Sequence, residues 1–283
     1  SSPPAPLLLG SLVSAVACFV HARQASGEWL VRIEDIDPPR EVPGAASEIL
    51  RTLEAFELEW DRTVVYQSRR LAVYEAVAER LRADGRAFHC PCSRSEIRAA
   101  NEGESGRYPG TCRDRHLAPG DAAVRVRVDP GRVVFDDGLQ GTIETDLAAS
   151  LGDYVIMRRD GLPAYHLAVV LDDAEQGVTT IVRGVDLLDS TGAHVHLQRV
   201  LGLATPQYYH LPVVVNEQGQ KLSKQTGASA VDARDPTAAA TVLELLGLTV
   251  PAALASERPR ALWQWAIERW SIGALKGQRE LHR

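Results

Sequence analysis

Cysteine is scarce in this chain, four residues in 283, and methionine occurs once. So few thiols exclude a disulfide-stapled scaffold and point to a reducing compartment. A long apolar run is also missing. The best candidate, Pro6–Val20, is broken by Gly10, Ser11 and Ser14 and falls short of the roughly 20 apolar residues that span a bilayer. No basic residue stands ahead of it, which argues against a secretory signal, although the chain opens at Ser1 without an initiator methionine. Nor is there an excess of positive charge: 31 Lys and Arg against 37 Asp and Glu give a net charge of −6. Broad nucleic-acid binding is thereby disfavoured, and any RNA contact must rest on a local patch, because phosphates are neutralised one by one. Internal repeats and low-complexity tracts are absent as well. The expectation is a cytoplasmic protein, not bound to membranes.

An apolar share of 45% and a charged share of 24% are those of a soluble globular protein. The length allows one large domain or two modest ones. In Gly10–Arg23, Leu12, Val16, Phe19 and Val20 recur at helical spacing and predict an amphipathic helix. Residues 27–37, GEWLVRIEDID, predict a strand ending in acid and stopped by Pro38 and Pro39. Ala45–Leu58 predicts a second helix. Ser68 predicts the cap of a third, with Leu71, Tyr74, Ala78 and Leu81 on its buried face. This alternation predicts an α/β domain with a largely parallel sheet. Residues 122–129 alternate Val124, Val126 and Val128 with Arg125 and Arg127, a half-exposed strand, and 131–146 predict a hairpin. Buried strands and helices resume from 165–173 and 178–188. Asp235 predicts the cap of a helix ending near Gly247, and a last helix sets Leu262, Ala266 and Trp270 on one side.

The thiols themselves are clustered. Cys90, Cys92 and Cys112 fall within one short stretch, and residues one apart do not easily bridge each other. Three thiolates in a loop-rich segment suit zinc, which takes four ligands and favours sulfur. Spacing alone favours His116 or His89 as the fourth ligand. Cys18 lies in the apolar stripe of the first helix and is expected to be a small buried hydrophobe. His194 and His196 sit two apart on a predicted helix, so they face different ways and are expected to be structural or at the surface.

Three motifs carry the remaining chemistry. Lys221 and Lys224, in KLSK, follow a buried strand on a polar loop, where cations can neutralise charge on a reacting triphosphate. Glu34, Asp35 and Asp37 close the acidic strand at the end where ligands bind in open α/β sheets, although Arg32 and Arg40 stand near enough in sequence to pair with them. Arg183, in VRGVD, ends another strand and is a natural partner for a carboxylate.

Taken in order, GSL at 10–12, LVRIEDIDPPRE, DGLPAYHLAVVLDD, IVRGVDLL and KLSKQ resemble the catalytic half of glutamyl-tRNA synthetases, which are class I aminoacyl-tRNA synthetases. The resemblance runs from about Ser2 to residue 247. It implies a Rossmann-type parallel sheet in two halves, 1–87 and 151–230, a zinc-bearing insertion at 88–150 and a helical region at 231–283. It also implies that Ser2, Glu34, Tyr165 and Arg183 hold glutamate, Glu34 at its α-ammonium and Arg183 at its side-chain carboxylate. Lys224 and Gly10 would serve ATP, with Mg²⁺. One structural Zn²⁺ would be held by Cys90, Cys92, Tyr108 and Cys112, since the pattern is Cys-x-Cys followed by Tyr-x3-Cys. Residues 225–283 are too few for a helical anticodon-binding region, which resembles the truncated paralogs rather than the full enzymes. Those activate glutamate with ATP and transfer it to the queuosine base in the anticodon of tRNA(Asp), here as a monomer. Two alternatives remain: a compact synthetase charging a tRNA acceptor end, and a silent paralog that binds tRNA or nucleotide.

The resemblance is broken at one place. Leu8 stands where the family motif has a histidine that contacts the ATP phosphates, and Ala5 where it has a glycine. The arginine-bearing strand expected ahead of the first helix is not in the sequence. Leucine donates no hydrogen bond, so either the chain is truncated and altered at this edge or it is a poor activator.

Overall fold

The computed structural model describes residues 7–37, 42–101, 106–222 and 231–282. Ser2, Ala5, Arg40 and Lys224 therefore lie outside the described residues. The chain opens with α1 (Leu9–Gln24), whose buried stripe of Leu12, Val13, Val16, Ala17, Phe19 and Val20 is the one expected from helical spacing. The acidic strand is shorter than its composition suggests. Only Arg32–Ile33, β1, form a ladder, parallel to β2 (Val65–Tyr66). Between them stands α2 (Ala45–Ala55), which ends short of Leu58.

The next helix, α3 (Leu71–Ala83), buries Tyr74, Ala78 and Leu81 but leaves Leu71 37% exposed. Ser68 is not its cap. It lies in a preceding turn, and its backbone N–H (2.9 Å) and hydroxyl (2.6 Å) both donate to the Asp35 carboxylate. Ser68 is thus held by an acid just past β1, and the start of α3 has no side-chain cap.

After β3 (Ala87–Cys90) and α4 (Arg94–Ala100), β4 (Ala123–Val126) pairs antiparallel with β3 and, later, with β7 (Val155–Met157). The arginine of this strand is not solvated as its alternation suggested. Arg125 is 9% exposed, donates to the Asp153 carbonyl at 2.8 Å and stacks 3.9 Å from the Tyr108 ring centre. A cation over an aromatic face is held well out of water.

Residues 132–146 form the expected hairpin, β5 (Arg132–Asp137) and β6 (Gly141–Asp146), followed by the short α5 (Leu147–Ser150). Beyond β7 come α6 (Tyr165–Gln176), β8 (Thr180–Gly184), α7 (Leu188–Leu201) and β9 (Gln207–Leu211). β5 and β8 both pair with β9 in parallel, giving a sheet ordered β6-β5-β9-β8. Segment 88–150 therefore distributes over two sheets. β10 (Val213–Val215), α8 (Ala238–Leu245), α9 (Pro259–Arg269) and β11 (Glu280–His282) complete the chain, with β10 parallel to β11. Asp235 accepts from the N–H and hydroxyl of Thr237, one residue before α8, rather than capping the helix itself.

One apolar core packs α1 against α8 and α9, with Leu12, Val242, Leu243, Leu262 and Ala266 fully buried. A second joins α3, α6 and α7 to β4, β5 and β7. Burying a leucine side chain of this kind stabilises by about 1.5–3 kcal/mol. Among the described residues no helix is long and apolar enough to cross a membrane.

Candidate active site and metal cluster

β8 carries Arg183 one residue before its end, so the strand fixes the backbone while the guanidinium lies among side chains of β9, α6 and α7. Its Nε donates to His210 Nε2 at 3.1 Å, and Nη1 to the Tyr165 hydroxyl at 3.2 Å and His194 Nδ1 at 3.3 Å. Nη2 donates to Thr191 Oγ1 at 2.7 Å and the Leu187 carbonyl at 3.4 Å. Every one of these acceptors is uncharged. Burial and the Arg183 cation push the His194 imidazole well below its ordinary range, and burial lowers that of His210 against the pull of Asp137. Both rings are neutral near pH 7. No described carboxylate lies within ion-pair distance of Arg183, although Glu34 and Asp173 feel its charge.

Tyr165 opens α6 and meets the same centre. Burial pushes its phenol up, the Arg183 cation pulls it back and the Glu34 carboxylate raises it further. Glu34, Tyr165 and Arg183 are thus brought within electrostatic reach of one another. Glu34 itself is about four-fifths buried and stands 3.7 Å from Arg32, which is held at 2.8 Å by Asp173 and at 2.8 Å by Gln176. The other two acids of the strand are occupied elsewhere, Asp35 with Ser68 and Asp37 with Arg158 at 3.4 Å. A cavity of about 470 Å³ opens between β1 and β8, with Arg32, Glu34 and Asp173 in its wall. Arg183 and Tyr165 are not among its lining residues, so of the three site residues only Glu34 faces it.

The first turn of α1 lies beside Leu222 and Val231, the described residues on either side of 223–230. A Cβ on Gly10 would come within 4.0 Å of the Leu222 carbonyl oxygen, and the Val231 N–H donates to the Leu7 carbonyl at 3.0 Å. Leu8 is the N-cap, extended at φ −87° and ψ 160°, with no side-chain capping bond. Among the described residues no side chain caps the start of this 16-residue helix, and helix N-termini favour anions. Lys221 Nζ also reaches Asp186, three residues past Arg183, at 2.6 Å.

A second constellation sits around β3. The sulfurs of Cys90, Cys92 and Cys112 all lie within 4.8 Å of one another, and tetrahedral zinc with bonds of about 2.3 Å sets its thiolates about 3.8 Å apart. Burial opposes ionisation of Cys90, yet its hydrogen bonds with Tyr108 and Arg125 outweigh it and pull the thiol down. Cys92 is pushed up to about 12, first by burial, then by Cys112 and Cys90. The cluster is compatible with zinc.

The Tyr108 hydroxyl accepts from the Cys112 N–H at 2.8 Å and lies 3.3 Å from the Cys90 sulfur. Gly152 secures that approach: its φ is +67°, and a Cβ there would come 2.3 Å from the Tyr108 carbonyl oxygen. His89 is one residue from Cys90 on β3 and therefore faces the other way, toward Arg82 and Glu79. Among the described residues no His, Asp or Glu joins the three thiols, so His89 and His116 stand apart from them.

Sequence reasoning missed the shell around Arg183. His194, expected to be structural or superficial, is 0% exposed and touches the guanidinium, whereas His196 meets the Tyr154 hydroxyl at 2.9 Å. His210, Thr191 and Asp137 carry no motif, and only strand pairing brings them together.

With this geometry in view, comparison with known proteins is informative. Residues 2–254 match the model for tRNA synthetases class I (E and Q), catalytic domain. A relative from Aromatoleum aromaticum, named glutamyl-Q tRNA(Asp) synthetase, is 52% identical over 275 residues, 96% of this chain and 87% of its own. One of the same name from Photobacterium profundum is 45% identical over 281 residues, 99% of this chain and 89% of its own. Among solved structures, a glutamate tRNA ligase from Elizabethkingia meningosepticum, crystallised with its amino acid, superposes with a TM-score of 0.82 at 22% identity. It shares the fold; 99% of this chain matches 66% of that one.

Proposed function

The chain belongs to the class I tRNA synthetases for glutamate and glutamine, and from that premise we propose that it activates glutamate with ATP and transfers it to the queuosine base in the anticodon of tRNA(Asp). The near-full-length identity to relatives bearing the glutamyl-Q name supports the transfer step. The observation that carries the choice of amino acid is Arg183, a cation ringed by neutral acceptors. Its bonds to Tyr165, His194 and Leu187 are 3.2–3.4 Å long, loose enough for a carboxylate to replace them with shorter charge-assisted ones. Glu34 then receives the α-ammonium of the same molecule.

In the chemical step the α-carboxylate of glutamate attacks the α-phosphorus of ATP. Glutamyl-adenylate forms and pyrophosphate leaves. A queuosine hydroxyl next attacks the acyl carbon and releases AMP. No side-chain nucleophile takes part. In this reading the start of α1, with Gly10, and Lys224 of KLSK serve the phosphates, where Mg²⁺ would add further charge neutralisation, while Ser2 belongs with the residues that hold glutamate. Glutamate-dependent exchange of pyrophosphate into ATP tests this half of the reading. Exchange with glutamate, and little with aspartate or glutamine, is the expected outcome; equal exchange with glutamine would refute the pocket.

Cys90, Cys92, Cys112 and the Tyr108 oxygen are proposed to hold one structural zinc, which would cross-link β3 to the loop at 108–112. Elemental analysis of protein purified without chelators is expected to find about one zinc per chain. Cys112→Ser should lose it and loosen the segment around β3 and β4 while glutamate still binds. Metal-free protein with an intact fold would count against the site.

A further inference from the structure

We propose that His210 and Asp137 are positioning residues that set the specificity of the Arg183 pocket for a carboxylate. This rests on the reading of Arg183 as the carboxylate-binding residue and deepens it.

Asp137, His210 and Arg183 lie in a row across three neighbouring strands, β5, β9 and β8, with His210 the direct ladder partner of Arg183. Neither the Asp137 nor the His210 side chain is exposed, and Nδ1 of the ring stands 2.6 Å from Asp137 Oδ2. The carboxylate also accepts from the N–H groups of Leu139 at 3.0 Å, Gln140 at 2.8 Å and His210 at 3.3 Å. A group surrounded by donors in this way is ionised, so the ring proton sits on Nδ1. Nε2 is then left as an acceptor, 3.1 Å from Arg183 Nε and 3.0 Å from Thr191 Oγ1. Which ring nitrogen carries the proton is decided by the partner of the other.

The arrangement solves a conflict. A carboxylate placed directly on Arg183 would orient it but also neutralise it, and the pocket would lose its preference for an anionic substrate. An imidazole locked by a carboxylate behind it orients the guanidinium and leaves its charge uncancelled. The acid acts one residue removed, as the orienting group behind a catalytic imidazole does.

The two nitrogens of His210 can be separated by substitution. His210→Asn keeps a donor for Asp137 and loses the acceptor at Arg183, whereas His210→Gln returns an oxygen near that acceptor position. Glutamate dissociation constants by calorimetry, with KM values in pyrophosphate exchange, provide the readout. His210→Asn is expected to weaken glutamate roughly 10–100-fold, the effect of one hydrogen bond to a charged group, with KM for ATP unchanged. Preference for glutamate over glutamine should fall by the same factor, His210→Gln should recover most of it, and in an Arg183→Ala background His210→Asn should add nothing. Asp137→Asn, which offers the ring an amide donor and frees its N–H to turn toward Arg183, should reproduce the glutamate-specific loss and serves if His210→Asn does not fold. If Arg183→Ala weakens glutamate while His210→Asn and Asp137→Asn bind it normally, this inference falls and the pocket stands. If Arg183→Ala itself binds glutamate normally, the pocket falls and the inference with it.

Discussion

Arg183→Ala is expected to weaken glutamate activation at least about a hundredfold, with the loss in glutamate binding rather than in ATP binding. Truncating one partner of a buried, hydrogen-bonded charge pair costs about 2–5 kcal/mol, because the other charge is left unpaired. In this pocket the substrate carboxylate would then face His194, His210, Tyr165 and Thr191, all neutral. Lysine should rescue only in part, since one ammonium cannot replace a planar fork whose five N–H groups meet five acceptors on β9, α6, α7 and the turn ahead of α7. Calorimetry with glutamate and exchange kinetics check both statements. Near-normal activation by the alanine variant would mean that the amino acid binds elsewhere.

The second large effect is expected at Leu8. The start of α1 offers backbone donors to phosphate but no side-chain donor at the N-cap. Charge on the phosphates grows toward the transition state, so a missing donor there costs rate more than substrate binding. One such donor is typically worth about 10²–10³ in rate. Leu8→His is therefore expected to speed glutamate-dependent exchange by a comparable factor while leaving the glutamate dissociation constant unchanged. Should the unaltered chain already exchange at full speed, another group serves the phosphates. A repaired chain that binds glutamate and still does not exchange would favour a silent paralog instead.

Local patterns were legible in the sequence where one element decides them alone. The stripe of α1, the hairpin at 132–146 and the buried side of α9 follow from residue spacing. Motifs located Arg183 at a strand end and the three cysteines in one cluster. What escaped was decided by contacts between distant segments. β1 shrank to Arg32–Ile33 because its ladder is set by its pairing with β2, which composition does not show. Arg125 is buried because Tyr108 and the Asp153 carbonyl receive it. Asp137 and His210 are 73 positions apart, and only parallel pairing of β5 and β9 makes them neighbours. No sequence period encodes such a meeting, so the motif residue was visible and the groups that orient it were not.

The most direct test of the proposed function is to follow labelled glutamate onto tRNA(Asp), prepared with and without queuosine, in the presence of ATP. Label is expected only on the modified tRNA, and it should stay with the anticodon fragment after nuclease cleavage. Equal labelling of the unmodified tRNA, with label at the acceptor end, would contradict transfer to queuosine.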